Sequence, residues 1–274
     1  MYGAIMGDII GSRVEFGRPK GFDHKNAELF TNSCMFTDDT VLTVATKYAV
    51  LHGISFERAY AMFGRRYKRA GYGNMFLNWL DSNIKKPYGS YGNGAAMRVS
   101  FIGEYYNDLK EAEEVAKESA VCTHDHLEGY KAAMAAAGAV CIARQGASKN
   151  DIKEYMKKNY NYKADIPLSF LRPFSKFDSS AMATMPIVIR CFLESESYES
   201  AIRNVLSINC DADTVGCITG AIAEAFYGTT GINNQDEILK RYLIRPNEMG
   251  KMDDFLYLNA VSDPESYPES KIVR

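Results

Sequence analysis

Apolar residues recur at helical spacing along nearly the whole chain, and this periodicity limits the possible folds more than any other feature. In residues 40–51, for example, Val41, Val44 and Tyr48 fall on one helix face, and Gly53 supplies a typical C-terminal stop. The same pattern predicts helices over residues 55–70, 108–119, 127–144, 152–158, 181–193, 198–207, 214–227 and 236–243. We find no convincing alternating pattern for a sheet. We therefore expect an all-α, single-domain orthogonal multi-helix bundle over residues 1–274, with a polar tail from about residue 261.

The composition excludes several classes of function. The chain has 32 Lys and Arg residues against 34 Asp and Glu, so its net charge of −2 provides no basic field, and we expect no nucleic-acid partner. The six cysteines form no C-x-x-C pair, which is typical of reduced thiols in the cytoplasm. The short apolar run at the N-terminus is interrupted by Asp8, so we predict neither a signal peptide nor a membrane span. We expect a cytoplasmic monomer.

Two short acidic segments each precede an apolar helix. Their oxygen donors are Thr37, Asp38 and Asp39 in the first segment, and Asp211, Asp213 and Thr214 in the second. Either segment alone is explained by helix capping. One cap does not need two aspartates, however, and four carboxylates brought together without a cation would repel one another strongly. A shared dinuclear site for a magnesium-type ion would remove that repulsion, because such ions prefer oxygen ligands.

The glycines suggest two further features. Gly3, Gly7 and Gly11 recur every four residues, so they share one helix stripe and would allow another backbone to approach closely, with Glu15 next on the same spacing. A glycine-rich segment at residues 89–97 could offer free amides to a phosphate. It lacks the lysine and the serine or threonine of a P-loop, and taken alone it is better explained as an ordinary turn.

Two of the four histidines, His124 and His126, flank Asp125. Two ligands at this spacing without a third do not make a zinc site. The alternative is that Thr123 or Asp125 caps the following helix while His124 faces a ligand.

Taken in order, these motifs resemble the ADP-ribosylglycohydrolase family. The matching segments are GAIMGDIIGSRVEF, FTDDTVLT, SYGNGAAMRVSFIG, THDHLEGYKAAMAAAGAV and DADTVGCITGAIAEAFYG, which span most of the chain. The two acidic motifs are specific when they occur together. The resemblance implies a helical fold around a central cleft that holds two Mg²⁺ ions, for which Mn²⁺ is a possible substitute.

The resemblance also implies roles for individual residues. The metal ligands would be Thr37, Asp38 and Asp39 from one side of the cleft, and Asp211, Asp213 and Thr214 from the other. Glu15 corresponds to a mobile glutamate and is the candidate catalytic base, with Asp39 as the alternative. The implied substrate-binding residues are Glu15, Ser90, Tyr91, Gly92, Asn93, Gly94, Met97 and His124, of which the loop residues would cradle the diphosphate and distal ribose of ADP-ribose.

The implied function is magnesium-dependent hydrolysis of the C1″ glycosidic bond between ADP-ribose and an acceptor. The acceptor would be a protein side chain such as arginine or serine, or a small molecule, and ADP-ribose would be the product. Two alternatives stay open, namely a non-catalytic ADP-ribose-binding protein and a two-metal phosphohydrolase. The chain departs from the family pattern at Asn209 and Cys210, where a pair of glycines is expected, and this leaves the choice of acceptor undetermined.

Overall fold

The computed structural model describes residues 1–247 and 249–262. Its helices are α1 (Tyr2–Ser12), α2 (Asp38–His52), α3 (Phe56–Arg66), α4 (Asn74–Asp81), α5 (Ser100–Tyr105), α6 (Leu109–Val121), α7 (Leu127–Arg144), α8 (Lys149–Tyr160), α9 (Leu168–Leu171), α10 (Ala181–Leu193), α11 (Tyr198–Leu206), α12 (Ala212–Tyr227), α13 (Gln235–Leu243) and α14 (Phe255–Val261). Helices make up 59% and strands 2% of the structure, so the predicted all-α class is confirmed. The predicted polar tail beyond residue 262 lies outside the described residues.

The two described strands, β1 (Arg245–Pro246) and β2 (Met252–Asp253), form a short antiparallel ribbon. The Arg66 guanidinium ties this ribbon to the end of α3 by donating to both carboxylate oxygens of Asp253, at 2.9 and 2.8 Å. None of the described helices is long and apolar enough to span a bilayer.

The glycine stripe of α1 lies directly against α12. A Cβ added at Gly7 would lie 2.0 Å from the carbonyl oxygen of Gly216, and one added at Gly216 would lie 2.4 Å from that of Gly7. Gly3 meets Gly220 and Gly11 meets Ala212 in the same way, so the two helices run antiparallel with their backbones in contact. The prediction of a close backbone approach is therefore confirmed. Because the helices are antiparallel, the C-terminal end of α1 lies beside the N-terminal end of α12.

Several predicted helix ends are confirmed and two are wrong. Thr37 caps α2 by accepting the amide proton of Asp39 at 3.2 Å, and Gly53 ends the helix in the left-handed conformation. The third helix was expected to reach residue 70, but α3 ends at Arg66 because Tyr67 leaves helical geometry (φ −115°, ψ 47°). Neither Thr123 nor Asp125 caps α7. His126 does so, since its ring Nδ1 accepts the amide proton of Glu128 at 3.1 Å.

The alanine-rich helix α7 lies at the centre of the bundle. It packs against α5, α6 and α12, and small side chains on its buried faces let these helices approach closely. Gly103 on α5 shows this closeness, because an added Cβ there would lie 2.3 Å from the carbonyl oxygen of Ala137. The centre of the core therefore holds α7 and α12, and the N-terminal ends of α2 and α12 open onto one face of it.

Candidate active site

A cleft of about 700 Å³ opens where the heads of α2 and α12 meet the end of α1. All the predicted site residues line it, and they are Glu15, Thr37, Asp38, Asp39, Ser90, Tyr91, Gly92, Asn93, Gly94, Met97, His124, Asp211, Asp213 and Thr214. The fold therefore brings together segments that are separated by up to about two hundred positions in the sequence. Their assignment as metal ligands, base or substrate contacts stays a prediction.

The first acidic group consists of Asp8, Asp39 and Asp213, each of which offers a carboxylate oxygen within 4.8 Å of the others. Asp39 Oδ2 accepts from the Thr214 hydroxyl at 3.1 Å and lies 3.2 Å from the Thr37 hydroxyl. Asp39 Oδ1, in contrast, is buried without a hydrogen-bond partner. A buried carboxylate oxygen is costly to leave unpaired, so this atom is available for a cation.

Asp8 was not predicted to belong to the site. It is completely buried in the middle of α1, and its carboxylate accepts the backbone amides of Thr37 at 3.0 Å and Thr40 at 3.1 Å, together with both their hydroxyls. Asp8 therefore caps the head of α2 from another helix and fixes where the first acidic segment lies. An acidic residue inside an otherwise apolar helix was the signal that could have identified it, since such a residue requires a buried partner.

The second acidic group consists of Glu15, Asp211 and Asp213, again with ligand atoms within 4.8 Å of one another. The Asn93 side chain donates to Asp211 Oδ2 at 2.9 Å and so joins the glycine-rich loop to this group. Asp213 belongs to both groups. Two adjacent oxygen-rich positions that share one carboxylate are the arrangement expected of a dinuclear site.

Asp38 takes a different position from the other predicted ligands. It lines the cleft but belongs to neither acidic group. Its carboxylate faces the loop after α3, since a Cβ added at Gly71 would lie 3.6 Å from Asp38 Oδ1. The structure therefore places Asp38 at the wall of the cleft.

The electrostatics of the cleft are dominated by uncompensated acid. Burial is the main cause that raises the pKa of Asp8 to about 6, of Glu15 to about 7 and of Asp38 to about 8, and the neighbouring carboxylates raise Glu15 and Asp38 further. Burial, with repulsion from other acids, also holds the pKa values of Asp39 and Asp213 well above their usual range. Among the described residues, no lysine, arginine or histidine forms an ion pair with these acids. The cleft thus gathers acidic groups that lack a protein counter-ion and that hold their protons more tightly than exposed acids do.

The glycine-rich loop also lines the cleft. It contains a 3₁₀ turn (Asn93–Ala95), and it is held in place because the Asn93 amide donates to Ser179 O at 2.9 Å and the Tyr91 carbonyl accepts from the Ala181 amide at 3.0 Å. The Gly92 amide donates to Ser90 Oγ at 3.2 Å. The amides of Gly92 and Asn93 thus already donate to acceptors within the protein. Fewer backbone amides of the loop are therefore left to bind a ligand through their N–H groups.

His124 lies beneath this loop. It is buried, and a Cβ added at Gly94 would lie 3.2 Å from its Nε2 atom, so the absence of a side chain at Gly94 leaves room for the ring. Burial, with a smaller effect of the positive charge on Arg98, holds the pKa of His124 well below its usual range. The imidazole is therefore neutral near pH 7.

The mouth of the cleft is partly aromatic. Phe16, which follows Glu15 directly, is 87% exposed, and its ring stacks on Phe177 with centroids 6.2 Å apart. Both rings line the cleft. Neither residue was predicted, and no spacing in the sequence connects them.

Cys210, at the position where the sequence departs from the family pattern, is buried beside the second acidic group. Burial is the main cause that raises the pKa of its thiol to about 12, and Asp211 adds to the effect. The neighbouring Asn209 is exposed, and its amide donates to Ser175 Oγ at 3.1 Å. A neutral thiol thus lies next to the acidic group without belonging to it.

Comparison with known proteins agrees with this architecture. The chain is 26% identical to ADP-ribosylhydrolase ARH3 of Mus musculus over 305 residues, covering 82% of each protein, and 30% identical to that of Xenopus tropicalis over 303 residues, covering 83% of this chain and 86% of the relative. A solved chain described as an ADP-ribosylglycohydrolase-related protein complex shares the fold, with a TM-score of 0.68, 21% identity, and coverage of 88% of this chain and 89% of that chain. The sequence profile of the family named ADP-ribosylglycohydrolase matches residues 1–244. The chain therefore belongs to the ADP-ribosylglycohydrolase family.

Proposed function

We propose that this protein is a magnesium-dependent ADP-ribosyl-acceptor hydrolase, which cleaves the C1″ glycosidic bond between ADP-ribose and an acceptor. Membership of the family and the similarity to ADP-ribosylhydrolases support hydrolysis of an ADP-ribose linkage. The observation that carries the metal-dependent part of the proposal is the pair of acidic groups that share Asp213. The acceptor is a protein side chain such as arginine or serine, or a small molecule.

The donor set of the cleft fits two divalent cations. It consists of carboxylate and hydroxyl oxygens, which Mg²⁺ prefers, and Mn²⁺ accepts the same ligands. Asp8, Asp39 and Asp213 would hold one ion, and Glu15, Asp211 and Asp213 the other, with Thr37 and Thr214 beside the first group. The buried, unpartnered Oδ1 atom of Asp39 supports this assignment. When bound, the ions would supply Lewis-acid polarisation of oxygen atoms on the distal ribose.

Glu15 is the residue that we assign as the general base. It lies at the open end of the cleft just beyond α1 and is only partly buried, so it could take a proton from water without remaining a permanent ligand of the second ion. Asp39 is the alternative. It is less suited to the role, because its Oδ2 atom already accepts from the Thr214 hydroxyl in the fully buried part of the site.

The glycine-rich loop and His124 are the groups that we assign to ADP-ribose itself. Gly92 and Gly94 line the cleft without side chains, so a diphosphate could approach the backbone there. Asn93 connects this loop to Asp211 at 2.9 Å. Such a connection would align the bound ribose with the acidic groups, and alignment of this kind is a large part of catalysis.

The test is incubation of the protein and Mg²⁺ with arginine-linked, serine-linked and small-molecule-linked ADP-ribose, with the products read by mass spectrometry. We expect free ADP-ribose and the unmodified acceptor from at least one substrate, and none in excess EDTA. Release of AMP or inorganic phosphate would instead establish the phosphohydrolase alternative. Tight binding of ADP-ribose without turnover of any substrate would establish a non-catalytic binding protein.

We also propose that the protein acts as a monomer in the cytoplasm. The six cysteines are free thiols, five of them buried, which suits a reducing compartment. Size-exclusion chromatography with light scattering tests the first statement, and fractionation of the source cells tests the second.

A further inference from the structure

Arg98 is a fully buried cation without an acidic partner. Its side chain has no solvent exposure, and its guanidinium carbon lies 4.0 Å from the centre of the Tyr60 ring. One nitrogen, Nη2, donates to Ser119 O at 2.8 Å and to Thr123 Oγ1 at 2.9 Å, while Nε and Nη1 have no partner. Within residues 1–247 and 249–262, no carboxylate lies at ion-pair distance from it. Such a group is costly to bury, so its retention beneath the cleft requires an explanation.

The bond from Arg98 determines where the proton of the Thr123 hydroxyl goes. An arginine can only donate, so it occupies one acceptor position of Thr123 Oγ1. The hydroxyl proton then has two destinations, the carbonyl of Ala120 at 3.2 Å and His124 Nδ1 at 2.8 Å. That carbonyl already accepts the amides of Thr123 at 3.0 Å and His124 at 2.8 Å, which fill both its lone pairs. The shorter bond, to His124 Nδ1, is therefore the one that the hydroxyl proton makes.

The tautomer of His124 follows from this assignment. A neutral imidazole that accepts at Nδ1 carries its proton on Nε2. The Nε2 atom lies beside Gly92 and Gly94, since Cβ atoms added there would lie 3.9 and 3.2 Å from it, and all three residues line the cleft. The burial of His124 and the positive charge on Arg98 both disfavour a second proton on the ring.

We propose that Arg98 and Thr123 are positioning residues that fix His124 as the Nε2–H tautomer, so that it donates a hydrogen bond to an oxygen of ADP-ribose bound in the cleft beside Gly92 and Gly94. The identity of the ligand rests on the proposed function, whereas the tautomer is a property of the protein alone. The unpaired positive charge of Arg98 also favours the binding of an anionic diphosphate in this part of the cleft. A bound anion would offset part of the free-energy cost of burying this charge.

The tautomer is measured directly on the free, full-length protein by long-range ¹H–¹⁵N correlation NMR of its histidine rings at about pH 8.5, well above the usual histidine pKa of about 6.5. The chain has four histidines, and His124→Gln assigns the signal. His52 is an internal reference for the opposite tautomer, because its Nδ1 lies 2.9 Å from the carbonyl of Tyr48. We expect Nε2–H for His124 in the wild type and in Thr123→Ser, and a shift toward Nδ1–H in Thr123→Val. An Nδ1–H ring in the wild type overturns the proposal.

The effect on ligand is measured by calorimetric titration of ADP-ribose in the presence of Mg²⁺. We expect Thr123→Val to raise Kd about tenfold, as for the loss of one hydrogen bond to a charged group, and Thr123→Ser to stay within about twofold of the wild type. Thr219→Val is the matched control, because Thr219 is a buried threonine of α12 whose hydroxyl bonds only weakly, at 3.5 Å, to Val188 O. Far-UV circular dichroism shows whether each variant is folded. Arg98→Lys keeps the positive charge and removes the guanidinium, so it separates the effect of the charge from that of the guanidinium hydrogen bonds.

The outcomes separate this inference from the proposed function. Equal Kd values for the wild type and Thr123→Val, with a changed tautomer, would refute the role of the pair in ligand binding. Failure of the wild type to bind ADP-ribose would refute the proposed function, while the NMR spectrum would still decide whether Arg98 and Thr123 set the tautomer.

Discussion

The cleft makes the metal-free protein less stable as pH rises from about 4 to 8, which reverses the usual behaviour of carboxylates. A folded-state pKa above the unfolded value means that the folded protein binds more protons than the unfolded chain within that window. The free energy of unfolding then falls with pH, because its slope follows the protons bound by the unfolded state minus those bound by the folded state. The stabilisation is complete below the unfolded pKa near 4 and is lost as pH passes the folded values of about 6 for Asp8, 7 for Glu15 and 8 for Asp38.

Asp8 gives the scale of this effect, because it is completely buried. Its pKa rises from an ordinary 3.8 to about 6, and at about 1.4 kcal/mol per pKa unit this makes the folded state ~3 kcal/mol less stable at pH 8 than at pH 4. For a chain of this size, ~3 kcal/mol corresponds to a change in Tm of roughly 6–12 °C. A bound cation would replace the protons, so Mg²⁺ should stabilise the protein more at pH 8 than at pH 5.

The assay is thermal unfolding in EDTA and in Mg²⁺ at pH 5 and pH 8, on the wild type and on Asp39→Asn. Asparagine mimics the protonated aspartate, so in EDTA the variant should be more stable than the wild type at pH 8, and the difference should be smaller at pH 5. In Mg²⁺ at pH 8 the order should reverse. Asp81→Asn is the control, because it removes an exposed acid paired with Lys68. Such surface pairs contribute little, so this variant should keep nearly the same pH dependence of the free energy of unfolding as the wild type. Equal stabilities of wild type and Asp39→Asn at both pH values in EDTA would refute the reasoning.

Four further substitutions test other parts of the site. Asp213→Ala removes the carboxylate shared by both acidic groups, so we expect no turnover and weaker Mg²⁺ binding by calorimetry in a protein that is still helical by circular dichroism. Glu15→Gln should lower kcat roughly 100- to 10,000-fold with little change in the Kd of ADP-ribose; near-normal turnover would move the base to Asp39. Gly94→Val should raise the Kd of ADP-ribose, because its Cβ would lie 3.2 Å from the ring of His124. An unchanged Kd would mean that the loop is an ordinary turn without a role in ligand binding. Gly7→Ala should destabilise the fold by about 3 kcal/mol or more in denaturant titrations, because its Cβ would meet the backbone of α12 at 2.0 Å.

The sequence predicted the elements of this protein better than their mutual arrangement. Helical periodicity gave the all-α class and most helices, since the pattern of buried residues is local. The end of α3 was predicted too late because the segment after Arg66 is still rich in good helix formers, whereas the chain there turns through Gly71 at φ +99° toward the cleft. Local helix propensity does not predict this turn, because the turn is set by contacts around the cleft with residues far away in the sequence.

Within the site, prediction from sequence failed where a residue acts through tertiary contacts. Asp8 looked like an interruption of an apolar run, and only the fold shows that it caps α2 and faces Asp39 and Asp213. Arg98 likewise lies in a stretch that reads as the start of a short helix. Its burial beneath His124 depends on α6 and the following turn, which supply Ser119 and Thr123.

The glycine stripe and the acidic motifs are parts of one arrangement. Gly3, Gly7 and Gly11 meet α12 with backbones in contact, and this contact fixes both the direction and the register of the two helices. Because they run antiparallel, the next position on the stripe, Glu15, reaches the head of α12, where Asp213 lies. Within α1 itself, Asp8 lies one residue after Gly7 and reaches the head of α2 instead. A side chain at Gly7 would therefore displace both acids relative to Asp213 at once, so its effect on metal binding should exceed what the loss of stability alone explains.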